Sequence, residues 1–401
     1  MADYRSFTAD DAVRAAEAAL SRPGGRPIAI DQVRDLGGDE RRNLILRASA
    51  VDQGGIATPI IIKATRAAGY DAADETVYET GGLAREWAAA TLLAGQAARS
   101  SQHGALLASD VTQGVLVFRD CGEDVASLVH PLLHGTADAA EQALIAYALA
   151  LARLHVTTIG CREEHAAIVR AGFPVARLPP PGYGWIDREP RKAISLLGGT
   201  LPDDELTLMA RRLEAPGTWL ALVHRDPCPD NVLLLSDGTA RRIDFEFAGP
   251  GHALLDAVYW RMGFSTFWCA GRIPDAVSER IDAVYRRAMA DVVPEAADQD
   301  AFRREQAIVG AIWLFGSLAW LLEGALKEDR EWGISSNRSR ILHYLMATIQ
   351  MTADADVLPG TRQTVAAWLD DLRGRWPGCA LLALYPAFTR AAEQDAQTSD
   401  Q

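Results

Sequence analysis

The chain has 401 residues, 49% of them hydrophobic and 23% charged, so it can bury a sizeable core and is neither disordered, collagenous nor disulfide-stapled in composition. Forty basic residues against 53 acidic ones give a formal charge of -13, which excludes the basic surface that non-specific nucleic-acid binding requires. The scattered cysteines Cys121, Cys161, Cys228, Cys269 and Cys379 form no CxxC pair, and the opening MADYRSFTADD has no basic and apolar export pattern, so a cytoplasmic protein with no nucleic-acid or membrane partner is expected.

Thr8, with Asp11 three residues on, has the spacing of a capping box and predicts a helix over 9–20, stopped by SRPGGRP. Runs rich in β-branched residues, separated by Gly37-Gly38 and Gly54-Gly55, predict strands over 28–36, 42–52 and 57–64. A helix over 83–97 follows, and GVLVF predicts a strand over 114–118. Beyond Gly122 the pattern is helical over 138–157, 203–214, 274–290, 300–326, 336–353 and 362–374, with strand-like pieces at 220–223, 231–235 and 240–245. The apolar run Ile308 to Leu322 falls short of the roughly 20 residues that span a bilayer and reads as a core helix. LPPPGYGW, over 178–185, reads as an irregular insertion, and 389–401 as a disordered tail. The fold class expected is α+β in two lobes: a small β-rich lobe over 1–120, opened by the helix at 9–20, and a larger, mostly helical lobe over 121–388.

The chemistry is concentrated in Val223-His224-Arg225-Asp226-Pro227-Cys228-Pro229-Asp230-Asn231, followed after a short hairpin by Arg242-Ile243-Asp244-Phe245-Glu246. A strand end, an HxD triplet, an Asn five residues later and a second Asp beyond a Ser236-Asp237-Gly238 turn form the arrangement that phosphoryl transfer requires. Asp226 can accept or orient a hydroxyl proton, while Asn231 and Asp244 offer oxygens of the kind magnesium prefers. Such a site needs a cation for nucleotide phosphates upstream. Lys63, one of only three lysines, lies toward the end of the apolar run PIIIK, and a compact ammonium suits a phosphate as a point charge. On the helix that follows, Glu86 shares a face with Leu83, Ala90 and Leu93, so it points inward and needs a cation, for which Lys63 is the natural partner.

These residues together resemble the aminoglycoside phosphotransferase and choline kinase group of small-molecule kinases, which share the protein-kinase-like fold, and the resemblance runs over about residues 28–325. It implies Asp226 as catalytic base within the His224-Arg225-Asp226 triplet, Asn231 and Asp244 as magnesium ligands, Lys63 on the α and β phosphates of ATP, or of GTP, and Glu86 as its anchor. It further implies that LVFRDCGED is the hinge that meets the adenine edge, through Phe118, Arg119 and Cys121, and that Gly37 and Gly38 begin the phosphate-covering loop, to which Arg41 or Arg42 can contribute. The resemblance also implies that Asp256 is the Asp that braces the catalytic loop, and His155 reads as a packing or helix-end residue. Three positions depart from the group's pattern: Arg225 stands where Gly is frequent and is expected in a structural ion pair, His252 stands where an acid is frequent, and Cys228 reads as a small filler.

The implied activity is ATP-dependent transfer of the γ-phosphate to a hydroxyl of a small, cationic acceptor, with an aminoglycoside or related antibiotic as the leading class. The alternatives are a metabolic kinase for choline, ethanolamine, homoserine or a sugar, and a catalytically inactive nucleotide-binding protein, against which the intact Lys63, Glu86, Asp226, Asn231 and Asp244 set speaks. Glu246, Glu328 and Trp332 are the residues assigned to the acceptor, from a wider set of acids (Asp187, Glu189, Asp329, Glu331) and tryptophans (Trp185, Trp260, Trp268, Trp313, Trp320). Partners beyond nucleotide and acceptor are not expected, and the chain is read as a monomer or homodimer.

Overall fold

Thr8 accepts a hydrogen bond from the Asp11 amide, and the Asp11 carboxylate reaches back to the Thr8 amide, so the capping box opens α1, Ala9–Leu20. The structure, a computed structural model, describes residues 7–21, 27–38, 43–67, 70–74, 78–96, 105–173 and 185–389. Arg41, Arg42, most of the 178–185 insertion and residues 390–401 of the expected tail lie outside the described residues. The chain forms two compact units, one of Met1–Val125, Cys161–Leu178 and Arg241–Gly249, the other of Ala126–Gly160, Pro179–Ala240 and Pro250–Gln401.

After α1 the chain runs through β1, Ala29–Asp35, β2, Asn43–Val51, and β3, Ala57–Thr65, to α2, Tyr78–Gly95, then β4, Leu106–Asp110, and β5, Val115–Arg119. The five strands make one antiparallel sheet in the order β1-β2-β3-β5-β4. Ile60, Ile62 and Ala64 of β3 join Leu44, Leu46 and Ala48 of β2 in a cluster with Ala12, Ala15 and Ala16 of α1. Side chains alternate along a strand, so Lys63 stands on the opposite face, between Ile45 and Leu116 of the neighbouring strands. The same unit contains α5, Arg162–Gly172, which packs on α2 and was not expected from the sequence. Trp87 of α2 meets Phe173 edge to face just beyond it.

The remaining elements are, in order, β6, Ala126–Ser127, α3, Val129–His134, α4, Ala137–Thr157, α6, Trp185–Leu197, α7, Asp203–Glu214, β7, Leu220–Val223, β8, Val232–Leu234, β9, Ala240–Arg242, and β10, Gly249–His252. There follow α8, Leu254–Ala257, α9, Asp275–Met289, α10, Gln299–Lys327, β11, Glu331–Trp332, β12, Ser335–Ser336, α11, Asn337–Asp354, and α12, Pro359–Arg375. The last strand-like piece expected, 240–245, is strand only to Arg242, because Asp244 takes a left-handed backbone with φ +64 that a strand cannot hold. By length and composition α10 could cross a membrane, yet 67% of its most apolar window is buried inside the structure, and it packs against α6, α7, α8 and α11 as the core helix expected.

Arg340 of α11 fixes an irregular loop in this second unit. Its buried guanidinium donates to the carbonyls of Ser265 (3.1 Å), Phe267 (2.6 Å), Trp268 (3.4 Å) and Trp332 (2.6 Å), and it lies 4.5 Å from the Trp332 ring centre. Arg340→Met keeps the apolar stem but leaves buried carbonyls without donors, and it is expected to lower the unfolding free energy by about 3 kcal/mol. Denaturant titration checks this, and a midpoint unchanged from the parent would mean that the loop holds its shape without the guanidinium.

Candidate active site

Burying a lysine costs its hydration, and a buried ammonium persists only with carboxylates beside it. Lys63 is 8% exposed and Glu86, in the middle of α2, is 3% exposed, with Nζ and Oε2 2.5 Å apart. Asp244 Oδ1 lies 2.5 Å from the same Nζ, and the Asp244 side chain keeps 38% of its surface open. Burial works against the charge on Lys63, but Glu86 and then Asp244 outweigh it and raise the ammonium above its usual range. Burial pushes the Glu86 carboxyl up to about 7, against the pull of Lys63 and with a further push from Asp244. The expected Lys63 to Glu86 pairing is therefore present, and Asp244 joins it. Within this unit Glu246 is half-buried, and its carbonyl accepts a hydrogen bond from Arg85 (2.6 Å).

The expected hinge follows β5. The Arg119 amide donates to the Ala105 carbonyl and the Asp120 amide to Pro59. Arg47 of β2, which sequence reading passed over, grips this turn: its guanidinium meets the Asp120 carboxylate (2.7 Å) and the Gly122 carbonyl (2.9 Å). Phe118 is half-buried and Arg119 exposed, and Cys121 Sγ accepts from Arg241 (3.5 Å). Gly37 and Gly38 both donate their amides to the Asp35 carboxylate (2.7 and 3.2 Å), and Gly38 uses the positive φ of +73 that its missing side chain permits.

In the second unit the HRD triplet is held by one buried carboxylate. Asp256 accepts the backbone amides of His224 (2.7 Å) and Arg225 (2.9 Å), and His155 Nε2 lies 3.2 Å from its Oδ2. The other nitrogen of His155 meets the Tyr285 hydroxyl at 2.7 Å, which makes the histidine a buried brace. Arg225 has φ +62, and its guanidinium donates to the Pro250 carbonyl (3.1 Å). Asp226 receives the amide nitrogen of Asn231 on Oδ2 (3.1 Å) and the Cys228 thiol on Oδ1 (2.7 Å). Cys228 is thus a bonded neighbour of Asp226, where the sequence suggested a filler, because the turn 226–228 aims the sulfur back at the carboxylate. His252 is buried, stacked on Trp219 and bonded to Glu305 (3.0 Å).

Of the acceptor residues expected from sequence, Glu246 belongs to the first unit and Glu328 and Trp332 to the second. Glu328 is 68% exposed at its side chain and pairs with Arg330 (3.1 Å). Trp332 meets Trp320 edge to face at 5.7 Å, and Trp260 is core, donating to Asp282 (2.9 Å). The side chains of Trp185 and Asp187 lie outside the described residues.

A lysine held by two carboxylates, and an Asp and Asn joined across a short loop after an HRD triplet, are the parts from which kinase-type enzymes build phosphoryl transfer. The family model of the phosphotransferase enzyme family matches residues 78–292, just over half of the chain, and the chain belongs to this family. It is a small-molecule kinase, a phosphotransferase with an alcohol group as acceptor, in the protein-kinase-like fold, and kinases of this family use ATP. Similar solved structures include a choline/ethanolamine kinase family protein from Mesorhizobium loti (17% identity, 84% of this chain and 92% of that one, TM-score 0.38). Others are the ethanolamine kinase of Plasmodium vivax (11%, 83% and 83%, TM-score 0.44) and a macrolide 2'-phosphotransferase from Brachybacterium faecium (14%, 74% and 89%, TM-score 0.41). No curated protein sequence matches the chain.

Asp256 gives a test of the loop's support. Burial raises its carboxyl, but His155 and then His224 prevail and hold it below the usual range. A folded-state value below the unfolded one means that the stabilisation is present above pH about 4 and is lost as pH falls through the folded value. Asp256→Asn is expected to cost about 3 kcal/mol at neutral pH and to flatten the acid limb of stability against pH, read by thermal melts across pH. An acid limb as steep as the parent's would place the titrating group elsewhere.

Proposed function

We propose that the chain transfers the γ-phosphate of ATP, with magnesium, to a hydroxyl of a small cationic molecule, an aminoglycoside or related antibiotic. The observation that carries the phosphoryl-transfer part is the buried Lys63 ammonium held between Glu86 and Asp244. In this reading Lys63 binds the α and β phosphates, Glu86 anchors it, and the backbone at Phe118, Arg119 and Cys121 faces the nucleotide base. Asp226, oriented by Asn231, accepts the proton of the acceptor hydroxyl as that oxygen attacks phosphorus.

In this reading Asp244 and Asn231 would hold magnesium, and the chemistry of each side chain suits it. Asp244 offers a partly open carboxylate, and Asn231 spends its amide nitrogen on Asp226, so its carbonyl oxygen is the atom left for a cation. Magnesium takes one or two protein oxygens together with phosphate oxygens, and among the described residues no group of three or more His, Cys, Asp or Glu forms a separate metal cage. When bound, the ion neutralises charge that builds on the transferring phosphate.

The formal charge of -13 supports a cationic acceptor, since an excess of acid draws cations toward the surface. A second reading, phosphorylation of choline or a similar amino alcohol, draws on the Trp320 and Trp332 pair, in which Trp320 is 51% exposed and could face a quaternary amine.

Turnover of magnesium ATP across aminoglycosides, macrolides, amino alcohols, homoserine and sugars decides between the two. A cationic acceptor is expected, with a Michaelis constant that rises with salt as the screening length falls from about 10 Å toward 3 Å, and a neutral or salt-indifferent acceptor would overturn that part. Asp226→Asn is expected to cut turnover at least about 100-fold with ATP affinity nearly unchanged, and near-parental turnover would remove the mechanism. Asp244→Asn is expected to weaken magnesium-dependent ATP binding more than Asn231→Ala does, by calorimetry with and without the ion; an equal loss for both variants would count against the metal assignment.

A further inference from the structure

Asp226 Oδ1 sits at the end of a directed line of donors. As a carboxylate it can only accept, so the single proton of Cys228 must point to it across 2.7 Å. The sulfur, having spent its proton, is then an acceptor for Tyr259, whose hydroxyl lies 3.1 Å away. Tyr259 has likewise spent its only proton, and its oxygen accepts from the Thr266 hydroxyl (2.9 Å) and the Thr266 amide (3.2 Å). One proton count therefore fixes every direction from Thr266 to Asp226, and donors aligned this way polarise one another. Cys228 is 4% exposed and Tyr259 fully buried, so water does not compete for these bonds. The far end is also fixed, since Thr266 lies in the loop whose carbonyls at Ser265 and Phe267 are clamped by Arg340.

We propose that Cys228 is a positioning residue: its thiol holds Asp226 Oδ1 in one orientation, with Tyr259 and Thr266 behind it, while Asn231 holds Oδ2. This rests on the reading of Asp226 as the group that accepts the acceptor's proton. A carboxylate otherwise turns about its last bond, and fixing both oxygens presents the same lone pair to each incoming hydroxyl. The thiol stays a donor because burial, and then the Asp226 charge, hold it well above its usual range, and burial does the same for Tyr259. A small filler would need only the volume of the side chain. The structure uses its hydrogen.

Serine and alanine separate these roles, since they are nearly equal in size and differ by one donor. With magnesium ATP, and water as the acceptor, Cys228→Ser is expected to keep turnover within about threefold of the parent, and Cys228→Ala to lose about tenfold in kcat with the Michaelis constant for ATP unchanged. Tyr259→Phe should lose less, and combined with Cys228→Ala it should add no further loss, because it acts through the sulfur. An infrared readout needs no turnover: the S–H stretch, isolated by subtracting the Cys228→Ser spectrum, is expected at the lowered frequency of a bonded thiol and should rise in Asp226→Asn. Equal kinetics for the serine and alanine variants, or an S–H band indifferent to Asp226→Asn, would overturn the positioning role. Full turnover in Asp226→Asn would instead overturn the reading of Asp226 as base, so the two failures are distinguishable.

Discussion

A positive charge buried in a β-sheet constrains the first unit more than any other group. Lys63 occupies a central strand with Ile45 and Leu116 beside it, in a place where an unpaired ammonium would be neutralised by its surroundings. The sheet supplies no acid there. Glu86 must therefore come from the helix that crosses this face, and Asp244 from a segment 181 residues further on. Replacing either acid by a neutral residue would leave a partly compensated charge in an apolar layer, so the nucleotide-side chemistry and the stability of the unit share the same atoms.

The second unit is organised in the same way by a buried carboxylate. Asp256 is inaccessible to solvent and spends its oxygens on two backbone amides and a histidine, which makes the conformation of the HRD turn a property of the core. Arg225 pays for that turn with a left-handed backbone that a side chain rarely adopts. Strain at a residue next to Asp226 persists because the surrounding hydrogen bonds over-determine it.

How much of this could be read from sequence follows from how local each signal is. The capping box of α1, the β-branched runs of β2 and β3 between glycine pairs, and the inward place of Glu86 were legible because each depends on a pattern of a few residues. The helix α5 was missed because its buried face has only His165 and Val169, and β4 because its side chains are all half-buried and show no alternation. Arg47 and Tyr259 escaped for another reason. An arginine in an alternating strand and a tyrosine in an apolar run carry no mark of what they bond to, and their partners, Asp120 and Cys228, lie 73 and 31 residues away. The bond from Cys228 to Asp226 is likewise illegible, since nothing in a sequence tells where a thiol hydrogen points.

The make-up of the first unit bears on how the chain is made. Because residues 161–178 and 241–249 belong to it, the sheet, α1 and α2 emerge from the ribosome long before Phe173 and Asp244 are available to them. A nascent chain ending near residue 120 holds Lys63 against Glu86 alone and leaves Trp87 without its ring partner. Closing such long loops is slow as well as entropically costly, so the last step in forming this unit waits for translation to pass residue 244, and hydrogen exchange at the amides of Ile62 and Lys63 in stalled chains would time it.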